Sequence, residues 1–223
     1  MGEKITDKID LYDVLGVVVP GTLLIAWLAL CFPHLASAST VKFPEAFATV
    51  ALLALSLFLG YLIQAVASLI EPVFCWMWRG KHSSRVFQDY SNPCLSGTAV
   101  ARIREKLAAR LGSNPDDGIL YQYAASLAET HPGSRSPRFN SLYAFHRALL
   151  VLTLVVAATL PFSGLHGLSA GWSVKTWCIA SSVLLGLLLL LFNRTRERSV
   201  YYVRETVLTA ERVIDTLPST KGA

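Results

Sequence analysis

The sequence predicts an all-α polytopic membrane protein, a four-transmembrane-helix bundle with a cytoplasmic helical hairpin and a helical C-terminal tail. Three observations carry this. Residues 174–192 read VKTWCIASSVLLGLLLLLF, hold no charge after Lys175, and run directly into Asn193-Arg194-Thr195-Arg196-Glu197-Arg198. As a helix this run covers ~28 Å, close to the ~30 Å of a hydrocarbon core, and the abrupt basic cluster marks a cytoplasmic interface. Only 16% of the 223 residues are charged, against about 25% in a soluble domain. Finally, the Lys and Arg are unevenly spread: two precede the first apolar run, ten lie between Arg79 and Arg147, six follow Phe192, and one each, Lys42 and Lys175, falls in the two remaining connections. That count predicts four spans with both termini and the central region cytoplasmic.

The excess of 20 basic over 15 acidic residues follows from the same rule, so nucleic acid is disfavoured as a partner. Of the four cysteines, Cys31 and Cys178 lie in apolar stretches, and none forms a Cys-x-x-Cys pair. Neither a disulfide framework nor a zinc site is expected. The sequence offers no catalytic residue, cofactor site or metal site: phosphate-binding loops, dinucleotide fingerprints, His-Glu-x-x-His and Ser-centred elbows are all missing.

Residues 1–13 form a cytoplasmic segment of mixed charge, with Ile5, Ile9 and Tyr12 at the spacing of a surface-lying amphipathic helix. Residues 14–78 hold spans one and two. The first contains Pro20-Gly21 and is read as one kinked helix, because the residues after Pro20 are too few to cross alone. Ala36-Ser37-Ala38 resembles a signal-peptidase site, but the acidic, weakly basic N-terminus argues against one. After a short periplasmic loop, span two runs over 46–78, past bilayer thickness at ~50 Å. Ser56, Gly60, Gln64 and Ser68 recur every four residues along it, and Glu71 follows. This small-xxx-small face is a helix-packing surface, with Ser56, Gly60 and Ser68 as its small members. It either packs spans of one subunit or lines a pore in an oligomer.

Residues 79–136 form the cytoplasmic hairpin. A first helix over 98–111 carries Val100, Ile103, Leu107 and Leu111 on one face and Arg102, Lys106 and Arg110 elsewhere, with Gly112 as its stop. Its basic side suits anionic headgroups better than RNA. Asn114-Pro115-Asp116-Asp117 predicts an N-cap at Asn114 and Pro at the first position of a second helix, which runs to about Glu129. Residues 137–192 hold spans three and four with a second short periplasmic loop. In the tail, 193–223, Val200, Val203, Val207, Ala210, Ile214 and Leu217 alternate three and four apart, the spacing of a self-association seam. Packing against the central hairpin would produce the same spacing.

Glu71 and Arg147 fall near the cytoplasmic ends of neighbouring spans. With Gln64, Asn140 and His146 they make a candidate polar path or gate, or a structural ion pair with snorkelling neighbours. Arg138 and His146 invite comparison with the Arg-His signature of HEPN ribonucleases. The gap of seven residues misses that signature, and no nuclease role is carried over.

Asp10-Leu11-Tyr12-Asp13-Val14-Leu15-Gly16 followed by Pro20-Gly21, then Gly60-Tyr61-Leu62-Ile63-Gln64 and the stretch from Tyr143 to Arg147, resemble small bacterial four-span membrane proteins associated with phage-defence modules, such as accessory membrane proteins of RNA-targeting CRISPR systems. The resemblance implies a membrane-acting accessory or effector. With the polar stripe and the heptad tail, it leads to the expectation of a non-enzymatic, self-associating inner-membrane protein acting through the bilayer, as a pore-forming or regulatory component of a defence system. Its expected partners are membrane lipids, further copies of itself and a soluble cytoplasmic protein. Two alternatives are a scaffold recruiting that soluble partner, and a membrane enzyme acting on lipid or quinone through His146, Arg147 and Glu71.

Overall fold

Apolar runs of helical length, interrupted by few prolines and bounded by Gly, Ser and Pro, leave the backbone one way to satisfy its polar groups away from water. The computed structural model is accordingly all-α. It describes residues 11–33, 44–78, 80, 82–88, 94–112, 115–163 and 171–217, and contains no strand among them. Its helices are α1 (Leu11–Cys31), α2 (Glu45–Met77), α3 (Gly97–Leu111), α4 (Asp117–Thr130), α5 (Ser136–Ser163) and α6 (Val174–Thr216), with a single turn at His82–Arg85. Three of them, α2, α5 and α6, are long and apolar enough to cross a membrane. The apolar stretch of α1, Gly16–Cys31, is shorter. Of the expected surface helix over 1–13, residues 1–10 lie outside the described residues and 11–13 belong to α1; residues 34–43 and 164–170 of the two inter-span loops also lie outside them.

Two boundaries repay comparison with the sequence. α1 continues through Pro20 without a break. α4 starts at Asp117, with its cap at Asp116 in the extended region (φ −61°, ψ 149°). The N-cap is therefore not Asn114, and Pro115 precedes the helix rather than opening it. The cap is whichever residue turns extended just before the first helical one, and here that turn falls two residues later than the Pro signal suggested.

The chain divides into two compact units, and the division cuts α2, α5 and α6 partway along. Unit 1 comprises Met1–Leu69 and Ala144–Thr195; unit 2 comprises Ile70–Tyr143 and Arg196–Ala223. The last turns of α2 and the first turns of α5 thus belong with the polar region, not with the apolar one.

In unit 1, α1 and α2 approach closely enough for backbones to touch. A Cβ on Gly21 would collide with the Ser56 carbonyl, and one on Gly60 with the Val17 carbonyl. Val17, Ile63, Ala67, Ala148, Val151 and Leu160 are buried here. Trp27 Nε1 donates to Thr159 Oγ1 at 2.9 Å, tying α1 to α5. By contrast, no residue of α6 between 174 and 192 is buried.

Unit 2 has a hydrophobic core of its own. Val100, Ile103 and Leu107 of α3, Leu120 and Ala124 of α4, and Val203, Val207, Ala210 and Ile214 of α6 pack together with Val86, Phe87 and Cys94. Each large side chain so buried contributes roughly 1.5–3 kcal/mol. Phe139 stacks on Tyr201 at 6.3 Å, and Ser136 and Thr206 share a 2.7 Å hydroxyl contact, fixing the start of α5 to α6.

Candidate functional site

The polar residues picked out by sequence divide between the units. Gln64, His146 and Arg147 fall in unit 1, and Glu71 and Asn140 in unit 2. Within unit 1 two of them make defined internal bonds. Gln64 Nε2 donates to the Gly16 carbonyl at 3.0 Å and to the Ala144 carbonyl at 3.3 Å. The Gly16 carbonyl is the one that residue 20 would engage through its N–H in a regular helix, and Pro20 has none. Gln64 therefore supplies from α2 the donor that α1 lacks, which is how a Pro is accommodated inside an apolar helix. Arg147 donates to Ser68 Oγ at 3.1 Å, linking α5 to α2. His146 lies edge-on to Phe145, with ring centroids 5.6 Å apart. Glu71 is half-buried and Asn140 exposed.

The four-residue stripe on α2 is thus a seam between helices of one chain. Ser56 is buried and accepts from Thr22 Oγ1 at 3.2 Å. Gly60 meets Val17, Gln64 caps Gly16, and Ser68 meets Arg147.

The heptad spacing of the tail also has an internal explanation. Val203, Val207, Ala210 and Ile214 are buried in the core of unit 2, and Val200 packs against it. Leu217 stays exposed. The burial of the others against α3 and α4 fits the internal packing that the sequence left open beside self-association.

Charge follows the same plan. All four cations of α3 are engaged within unit 2. Arg102 Nε donates to Glu211 Oε1 at 2.8 Å, and Lys106 Nζ reaches Asp215 at 2.7 Å and Glu211 at 3.1 Å. Arg104 pairs with Asp117 at 3.0 Å, and Arg110 donates to the Leu217 carbonyl at 3.1 Å. The basic side of α3 is therefore matched by the tail and by the start of α4. The signal was present: Arg102 and Lys106 are four apart, as are Glu211 and Asp215, so the two helices present charges with the same period.

These contacts shift the ionisable groups. Burial alone would raise the Glu211 carboxyl, but hydrogen bonds from Arg102 and Lys106 outweigh it and hold it below its ordinary value. Lys106 is raised, chiefly by its hydrogen bond to Asp215. Burial pushes the Cys94 thiol to about 11, with Arg204 opposing, so it behaves as a small hydrophobe rather than a nucleophile. Burial raises Tyr121 as well, and neighbouring Tyr202 adds to it. His82 is buried, sits edge-on to Trp78 at 6.1 Å, and is lowered by burial first and then by the charge of Arg196.

Among the described residues, no group of three or more His, Cys, Asp or Glu is placed to hold a metal ion. No family model, curated protein or solved structure matches the chain.

Proposed function

We propose that this is a non-enzymatic inner-membrane protein of four spans that self-associates through the apolar part of α6. In this reading α1 also crosses the bilayer, and both termini and unit 2 are cytoplasmic, as the distribution of Lys and Arg favours. The bacterial phage-defence setting is the one implied by the resemblance. The supporting observation is the isolation of α6. None of its apolar window is buried, against 17% for α2 and 28% for α5. A Cβ on its Gly186 would meet nothing within 4 Å, so a close-packing position stands unused. Transmembrane helices associate through such small-residue faces, and here Cys178, Ser182 and Gly186 recur every four residues and are all exposed. Gln64 and Arg147 are engaged within one chain, so the assembly would act through α6 rather than through a path along α2.

The chain carries its own reporter. Cys178 is exposed on α6, whereas Cys31 and Cys94 are buried. Mild oxidation in native membranes is expected to give a covalent dimer that disappears in Cys178→Ser. Oxidation that yields no Cys178-dependent dimer contradicts self-association on this face.

A second reading, a scaffold for a soluble partner, is favoured by the separate core of unit 2. That core draws on both the central region and the tail, so the tail alone would not present the surface. Leu107→Asp in the full chain is expected to abolish partner capture while leaving membrane insertion intact. Capture unchanged by that substitution contradicts this reading.

A further inference from the structure

The last two turns of α2, Ile70 to Met77, belong to unit 2, and they carry two opposed faces. Phe74 and Trp78 are buried, their rings stacked with centroids 6.2 Å apart, and Trp78 meets His82 edge-on. Two residues before Trp78 the environment reverses: Trp76 is 80% exposed, against 6% for Trp78. Val73 and Met77 are exposed with it, and so is Pro72. At ~100° per residue these four fall within an arc of ~140°. Glu71, the one charge between residues 70 and 78, projects from the opposite side, so no charge interrupts the ridge. Backbone hydrogen bonds hold the turns to their end: the Trp78 amide donates to the Phe74 carbonyl at 3.0 Å, and the Gly80 amide to the Cys75 carbonyl at 2.7 Å.

The length of α2 says what covers such a ridge. The helix is continuous over 33 residues, or ~50 Å. A ~30 Å hydrocarbon core would take in all of it only at a tilt of ~53°, beyond the ~0–40° of transmembrane helices. Part of it must therefore stand in the polar layers, which bring the bilayer to ~40–45 Å. Trp76 lies ~22 Å beyond Tyr61, the midpoint of the helix, and Val73 ~18 Å beyond it. With that midpoint at the centre of the bilayer and tilts of ~20–40°, Trp76 sits ~17–21 Å from the centre and Val73 ~14–17 Å. These depths meet the boundary between acyl chains and headgroups, which runs from ~15 Å to ~20–22 Å. An indole suits that layer, with an apolar ring and one N–H donor. Val73 and Met77 beside it offer lipid an apolar surface with no charge to desolvate.

We propose that Pro72, Val73, Trp76 and Met77 form a ridge that seats unit 2 in the boundary layer between lipid headgroups and acyl chains, while Phe74 and Trp78 lock the same turns into the unit from behind. Unit 2 is thereby held against the bilayer rather than displayed free of it. The inference rests on α2 crossing the bilayer.

The test uses the full chain in phosphatidylcholine nanodiscs, which leave both membrane faces open to water. The signal of Trp76 among the five tryptophans is the fluorescence lost in Trp76→Phe. That component is expected to be quenched by phosphatidylcholine brominated near the carbonyl end of its acyl chains, less by lipid brominated near the methyl end, and little by aqueous iodide. Quenching by iodide and not by brominated lipid would place Trp76 in water. Quenching by neither would mean that protein covers it, a second copy included. Either result overturns the proposal. Phe58→Trp, at an exposed position near the middle of α2, reports on the span separately. Its indole should be quenched most by lipid brominated near the methyl end, and quenching by iodide there would instead remove the span on which the ridge depends. Should Trp76→Phe fail to reconstitute, Met77→Trp, which adds an indole to the same ridge, decides by the same comparison.

Discussion

Gln64 Nε2 lies 3.0 Å from the Gly16 carbonyl, the backbone acceptor that Pro20 leaves without its usual intrahelical donor. One side chain on α2 thus completes the hydrogen bonding of α1, and two features that look unrelated in sequence, a proline in one apolar run and a glutamine in the next, explain each other.

A coupling follows from this pair. Gln64→Leu leaves a carbonyl unsatisfied in apolar surroundings and is expected to destabilise unit 1 by ~1–2 kcal/mol. In a Pro20→Ala background residue 20 regains its N–H, and the same substitution should cost less than half as much. A double-mutant cycle by thermal unfolding in detergent measures the difference. Equal costs in both backgrounds would rule out this role for Gln64.

The crossing of α1 and α2 is equally specific. A Cβ on Gly21 would also lie 2.9 Å from the Gly60 amide nitrogen, and backbone cannot yield as a side-chain end can. Gly21→Ala is therefore expected to cost ~1–3 kcal/mol by overpacking, whereas Gly118→Ala on α4, where the nearest atom to an added Cβ is Asp116 Oδ2 at 3.4 Å, should not lower the melting temperature of the detergent-solubilised chain. Equal effects from the two would contradict the crossing.

Glu211 receives both Arg102 and Lys106. Because its carboxyl is held below the ordinary value, it stabilises the fold above the unfolded carboxylate range near pH ~4.3, and this is lost as pH falls through the lower folded value. Arg102 is 60% exposed, so the pair with Glu211 is screened and is expected to contribute ~0.5–1 kcal/mol. Coupling in an R102Q/E211Q cycle should be of that size at pH 7 and vanish in strong acid. Coupling that persists there would show that the ion pair is not its source.

His82 predicts a second pH dependence, at higher pH. Its folded value is lowered by burial and by Arg196, so the unfolded chain takes up a proton first as pH falls below ~6.5. Stability is complete above that value and declines as pH drops toward the folded value. His82→Phe should flatten the slope of unfolding free energy between pH ~6.5 and ~5. The same slope in wild type and variant would assign it to another group.

Helical class, and the ends of α2 and the start of α5 to within a residue, were legible, because hydropathy, length and the Ser-Pro boundary decide them. What occupies each helical face was not. The same spacing from Val203 to Ile214 suits a second tail or an internal core, and only the placement of α3 and α4 distinguishes them. Likewise the arginines of α3 read as a lipid surface until Glu211 and Asp215 are brought opposite them. Gln64 read as part of a path because its partner is a backbone carbonyl, which no side-chain pattern announces. The position of Pro20 was the available clue.

Self-association through α6 is tested most directly by the mass of the full chain in nanodiscs, where one copy contributes 24.4 kDa of protein. A defined multiple of that mass is expected, falling to a single copy in Gly186→Ile. A single copy in the wild-type chain at every protein-to-disc ratio would contradict it.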